Sequence, residues 1–284
     1  MYATGSAAGD YDILPYDAKP IDLTSLETVL SISGQWGMTA PIVDVLDLGC
    51  GFGRQLAQVA PNTTGRLVGI DASSRTCVGA RDVLSTWSDR VTIHEGYFEN
   101  FDSNELGDYD LIYCIGAFYT VPRPARDAAL RLMGECLRPG GRILMTYYAG
   151  TRGAIHSAVG EYIRALQPGA QLLPDAIATA REHLAASLRF QTPAPIEAVR
   201  QQISGIAGYD DIVLFHEILG HGVNLQSTAE INTHLLPYNI NFQGYMGYDP
   251  VNFDCDLLAK LYRAETLDLL EGGYRYALFG KSNL

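Results

Sequence analysis

The chain has 284 residues, 47% of them hydrophobic and 18% charged, which suits one large α/β domain with an insertion, or two joined domains. A core of that size needs neither disulfides nor metals, and 20 basic against 32 acidic residues leave a net charge of −12 that argues against nucleic acid as a partner. Five scattered cysteines without a CxxC pair suggest no zinc knuckle; Met1 to Asp10 lacks signal-peptide character and no apolar run nears the roughly 18 residues of a membrane span, so no membrane partner and a cytoplasmic location are expected.

In chain order, residues 1–40 read as an N-terminal lid or helical segment. A Rossmann-like core over 41–149 follows, in which apolar strand-like runs alternate with helical ones. The strands are Val43–Leu48, Leu67–Ile70 ending at Asp71, Val91–His94, Leu111–Ile115 and Ile143–Tyr147. Helices are expected at Phe52–Ala60 and Arg75–Trp87. A third helix carries Ala129, Leu132, Met133, Cys136 and Leu137 on one face, with Pro139-Gly140-Gly141 as its stop. From Gly150 to Gly222 strand character disappears, and helices at Ser157–Leu166, at Asp175–Phe190 (capped by Asp175) and through Ile203 predict a helical cap over the sheet's carboxyl edge. Over 223–284 the core resumes with helices Ser227–Leu236 and Asp256–Leu270 and strands Asn239–Tyr248 and Tyr274–Phe279. Strands alternating with helices imply an α/β fold: a doubly wound, mostly parallel, seven-stranded sheet with a helical cap insertion.

The chemistry concentrates in Asp47-Leu48-Gly49-Cys50-Gly51-Phe52-Gly53, between the first strand and its helix. Glycines there permit a sharp turn and close approach of a ligand to the helix N-terminus. The spacing is GxGxG, so the GxGxxG of a pyrophosphate-binding dehydrogenase is not met. Asp71 ends the second strand, where a carboxylate can accept hydrogen bonds from the ribose hydroxyls of an adenosyl group.

VLDLGCGFG, GIDAS, DYDLIYCIGA and LRPGGRILM, in that order, resemble the successive motifs of class I S-adenosylmethionine-dependent methyltransferases. The resemblance implies S-adenosyl-L-methionine as cofactor. It places Asp47, Gly49, Cys50, Gly51 and Gly53 around the methionine moiety, Asp71 and Ala72 at the ribose, and Tyr97 and Phe98 at the adenine. The family's usual acidic residue is replaced by Tyr97, which leaves Glu99 or the backbone to meet the adenine edge. Ile115 and Gly116 complete the cofactor edge. Tyr11 to Tyr16, Gly116 to Pro122 and Leu214 to Leu219 are similar to bacterial methyltransferases carrying a regulatory-type domain, some of which modify protein lysines. Tyr16 is then a cofactor-side residue of the lid.

Tyr119, on the loop after the fourth strand, is placed to face the donor methyl group, and no Asn-Pro-Pro-Tyr motif stands there. His216 and Glu217 are candidate catalytic groups of the cap, His216 as a general base or else as a hydrogen-bonded core histidine. His216 and His221 lie five apart, which turns the second about 140° from the first on a helix, so no metal is expected. The expected activity is methyl transfer to an N or O atom of a small-molecule acceptor. The alternatives are a protein lysine methyltransferase and a non-catalytic cofactor-binding or regulatory protein.

Overall fold

The structure, a computed structural model, describes Leu14, Tyr16, Asp17 and residues 43–167, 173–189, 197–220, 222–246, 256–270 and 273–282. Most of the 1–40 segment, and His221, lie outside those residues.

Seven strands form one sheet: β1 (Val45–Leu48), β2 (Leu67–Asp71), β3 (Val91–Glu95), β4 (Tyr109–Cys114), β5 (Leu137–Ala149), β6 (Ile240–Tyr245) and β7 (Gly273–Lys281). Their order is β3-β2-β1-β4-β5-β7-β6. The first five run parallel, while β7 is antiparallel to both β5 and β6. This is the expected doubly wound, mostly parallel sheet. Strand order reverses at β1, so the crevice beyond the carboxyl ends of β1 and β4 is where such sheets bind ligands.

Every position of β1 is buried, because helices cover both faces of the sheet and a central parallel strand has no wet side. On one face Leu46, Ile112 and Met145 pack with Ala129, Leu132 and Met133 of a helix. On the other, Val45, Tyr113 and Leu144 pack with Leu56 and Cys77. The covering helices are α1 (Arg54–Val59), α2 (Ser74–Val83), α3 (Ser103–Leu106) and α4 (Arg123–Cys136). Each fully buried Leu or Ile contributes about 1.5–3 kcal/mol.

Pro139-Gly140-Gly141, expected as a stop between helix and strand, lies inside β5 instead. Leu137 is already paired with Tyr109, the next pair is Leu111 with Arg142, and Arg138 to Gly141 bulge out between them. The bulge lets Arg138 donate to Asp110 (2.9 Å) and to Asp44 (2.7 Å), tying together the amino ends of β1, β4 and β5. Asp44 is nearly buried, which raises its pKa, but the Arg66 N–H and the Arg138 guanidinium hold it below the usual carboxylate range.

β5 passes into α5 (Gly150–Ala165) with no loop between. Gly150 makes that junction at φ +63°, and a Cβ there would fall 1.7 Å from the Asp268 carbonyl oxygen. α6 (Leu173–Arg189), α7 (Glu197–Ala207), α8 (Asp211–Leu214) and a π-helical turn over Phe215–Leu219 follow. They share a core of their own, built on Ile163, Ala176, Ala180, Leu184, Ile206 and Phe215. α6 begins at Leu173, which puts Asp175 in its first turn rather than at its cap, a position where negative charge suits the helix dipole. α9 (Thr228–Leu235) and α10 (Leu257–Leu270) flank the closing strands. A buried ion pair, Arg275 to Asp268 at 2.7 Å, is completed by the Tyr245 hydroxyl at 2.8 Å and locks β6, β7 and α10 together.

Candidate active site at the carboxyl edge of the sheet

Gly49, Gly51 and Gly53 all adopt positive φ, of 79°, 51° and 69°. The three are held differently. A Cβ on Gly49 would strike the Ala117 Cβ at 2.3 Å, and one on Gly53 would meet Leu84 Cδ1 at 2.7 Å, whereas one on Gly51 would meet nothing within 4 Å. Gly116, at the end of β4 with φ +79°, also faces open space. The two open glycines border the crevice from its two strands, and an added side chain at either would project into it. Asp71 fastens the loop: its carboxylate accepts from the Gly51 N–H, the Ser73 N–H and the Thr76 hydroxyl, each at 2.9 Å.

Asp47 is 2% exposed, and burial, aided by the neighbouring Asp71 carboxylate, pushes its pKa up to about 7. Across the β1–β4 ladder stands Tyr113, whose buried hydroxyl has no hydrogen-bond partner. A buried carboxylate under the glycine loop, with a second carboxylate as neighbour and no cation beside it among the described residues, suits a ligand that brings positive charge. Cys50 and Phe98 pack into the core, Ala72 and Ile115 are half-buried, and Tyr97 is exposed at the edge.

The neighbouring part of the edge is built of tyrosines. Tyr119 meets Tyr148 and Tyr274 edge-on, with centroids 5.1 and 5.5 Å away, and Tyr148 meets Tyr274 at 5.2 Å. Tyr148 ends β5, while Tyr274 begins the antiparallel β7 opposite it. The Tyr274 hydroxyl donates to Thr146 Oγ1 (2.9 Å), which accepts from the Gly116 N–H (2.8 Å), so the cluster is joined to the crevice.

Glu217, on the π-helical turn, accepts from the Tyr148 hydroxyl at 2.7 Å. Burial raises its pKa, and hydrogen bonds from Tyr148 and Tyr119 offset part of the rise. His156 of α5 is fully buried, and burial pulls it down to about 4, so the ring is neutral. Its Nε2 lies 3.3 Å from Glu217 Oε2, yet neither ring nitrogen makes a hydrogen bond; the contact is neither an ion pair nor a directed bond.

His216 is buried beside it, with Nε2 2.6 Å from the Leu14 carbonyl and its ring 5.8 Å from that of Tyr16. Asp17 pairs with Arg54 at 2.7 Å. The described part of the N-terminal segment therefore touches both the helix after the glycine loop and the π-helical turn. Among the described residues no His, Cys, Asp and Glu cluster could hold a metal.

Residues 45–141 match the family model of a methyltransferase domain. The match runs from β1 into β5 and supports a class I S-adenosylmethionine-dependent methyltransferase domain there. Among its relatives is the ubiquinone biosynthesis O-methyltransferase of Aromatoleum aromaticum, 30% identical over 126 residues, which are 44% of this chain and 53% of that one. Another is the uncharacterized protein RP028 of Rickettsia prowazekii, 22% identical over 74% of this chain and 87% of that one. The PKMT2 structure from Rickettsia typhi superimposes with a TM-score of 0.74 at 18% identity, over 95% of this chain and 55% of that one. The chain thus spans about half the length of the O-methyltransferase and of PKMT2, and the structural match carries the fold alone.

A methyltransferase domain implies S-adenosylmethionine as its cofactor. Gly51, Gly116, Asp47 and Asp71 fit it, on the open Cβ directions and the buried carboxylate described above. The sequence does not single out Tyr148, Tyr274 or Thr146, which the fold brings to this edge. Tyr148 and Thr146 lie in a strand that reads as plain core, and Tyr274 reaches the edge only because β7 runs antiparallel.

Proposed function

We propose that this methyltransferase transfers a methyl group to an N or O atom of a small-molecule acceptor, held between Tyr119 and the helical segment over 150–222. The observation that carries the reading is the Tyr119–Tyr148–Tyr274 cluster beside Gly116, met by Glu217 from the π-helical turn. Bound S-adenosylmethionine supplies an activated methyl on a sulfonium, so the protein has chiefly to align the acceptor and exclude water. Asp71 and Gly51 hold the ribose side, Asp47 the positively charged side, and Gly116 leaves room beside them. Tyr119 and Glu217 face the acceptor, Glu217 as the group able to take a proton. His216 positions the N-terminal segment through Leu14 and Tyr16, and Tyr16 covers the site from outside.

The test is calorimetry with S-adenosylmethionine and with its demethylated product, followed by product formation across panels of amines and alcohols. Micromolar-class binding that Asp71→Ala weakens, with turnover on some member of a panel, is expected. Preference for NAD, or affinity indifferent to Asp71, would overturn the reading.

A further inference from the structure

Among the described residues three carboxylates, Asp44, Asp47 and Asp268, are buried, and Glu217 is largely so. Asp44 is paired with Arg138, and Asp268 with Arg275. Asp47 borders the cofactor crevice. Glu217 is paired with no lysine or arginine among the described residues; Arg164, from the adjacent helix, donates to the Ile218 carbonyl instead. Its polar neighbours are the hydroxyls of Tyr148 and Tyr119 and the neutral His156. A buried carboxylate is costly to keep without a counter-charge.

What surrounds Glu217 is aromatic. Tyr274 packs 5.2 Å from Tyr148, whose hydroxyl donates to Glu217; Tyr209 stands 5.9 Å from His156, and Tyr16 5.8 Å from His216, the residue before Glu217; all three tyrosines are half-buried rather than sealed. Tyrosine faces attract cations, and rings grouped about a carboxylate are the arrangement that holds ammonium groups. An alcohol or phenol acceptor would gain nothing from the charge and would leave the carboxylate uncompensated.

Resting on the methyl-transfer reading, we propose that the acceptor is an alkyl amine, bound as its ammonium by Glu217 within the Tyr16, Tyr209 and Tyr274 rings. Burial favours the protonated form of Glu217, which suits it to receive a proton from the bound ammonium. R–NH3+ gives that proton to the carboxylate and becomes R–NH2. The freed nitrogen pair then forms the N–CH3 bond as the C–S bond of the sulfonium breaks, its electron pair passing to sulfur. The products are the thioether and a methylated ammonium. A free small amine and a lysine side chain share this chemistry.

The experiment uses the whole chain saturated with S-adenosylhomocysteine and measures binding of n-butylamine against n-butanol by ligand-observed NMR, for wild type and Glu217→Gln. The amine should bind about tenfold tighter than the alcohol or more, and Glu217→Gln should bring that ratio close to one, with homocysteine-nucleoside affinity unchanged. Equal binding of amine and alcohol, or a ratio that Glu217→Gln leaves intact, overturns the proposal. Failure of S-adenosylhomocysteine to bind while the amine preference persists would overturn the methyl-transfer reading and leave the ammonium site standing. A lysine-containing peptide as third ligand separates the sources: preference for it over butylamine assigns the ammonium to a protein, and the reverse to a free amine.

Discussion

Nε2 of His216 lies 2.6 Å from the carbonyl oxygen of Leu14, 202 positions earlier in the chain. That contact, with the Tyr16 ring against the imidazole and Asp17 on Arg54, ties a segment that precedes the sheet to both sides of the cofactor crevice. His216→Ala should free that segment, at a cost of about 1–3 kcal/mol for the lost buried hydrogen bond and packing. Amide exchange around Leu14 should quicken and cofactor dissociation should rise several-fold, while the pH profile of kcat keeps its shape. A profile that loses one ionisation on mutation would instead assign the imidazole the general-base role.

Gly51 and Gly49 should separate ligand binding from folding. Gly51→Ala carries only the strain of an L-residue at positive φ, about 1–2 kcal/mol, because its Cβ meets no protein atom. It should lower Tm by a few degrees and sharply reduce cofactor affinity. Gly49→Ala adds a collision with Ala117 and should lose far more stability. Differential scanning calorimetry with and without S-adenosylhomocysteine reads both; equal cofactor affinity in Gly51→Ala and wild type would remove Gly51 from the site.

Asp47, with its pKa near 7, should couple cofactor binding to pH. A cationic ligand favours the ionised carboxylate, so the bound pKa falls below the free one. Affinity for S-adenosylmethionine should then tighten as pH rises toward 7, by as much as about tenfold per unit, and level off above it. Asp47→Asn should flatten the dependence. Calorimetry at pH 5.5, 7 and 8.5 suffices, and a curve unchanged in the variant would refute the assignment.

His156 should limit stability in acid. Its imidazole is held down at about 4 against 6.5 when unfolded, so the unfolded chain binds more protons between those values. The stability that the neutral ring contributes is whole above pH 6.5 and is lost as pH falls toward 4, by up to about 3 kcal/mol. His156→Gln should show a shallower fall of Tm across that window than wild type. Parallel curves would place the acid sensitivity elsewhere.

The sheet and its cofactor edge were legible in the sequence because both are written locally. Strand–glycine–helix succession and a strand-end acid at Asp71 need only short windows of chain. The acceptor side was legible only in part. Tyr119 lies on the loop after β4, and His216 and Glu217 sit in one short motif, so short windows of sequence suffice to single out all three as candidates. Tyr148 and Tyr274 meet through the β5–β7 pairing, 126 residues of chain apart in effect invisible to periodicity. His156 is an ordinary helical position until the π-helical turn is laid against it. The Pro139-Gly140-Gly141 stop was misread for a related reason: the partners that hold the bulge, Asp110 in β4 and Asp44 just before β1, are distant in the chain.

The reversed course of β7 has a practical consequence. The strand starts beside the tyrosines at Gly273 and finishes at the opposite rim, where Lys281 donates to the Leu137 carbonyl at 2.7 Å. A probe attached to Ser282 therefore sits on the side of the sheet remote from the tyrosine cluster, and tethering the protein through it leaves that cluster facing the solution.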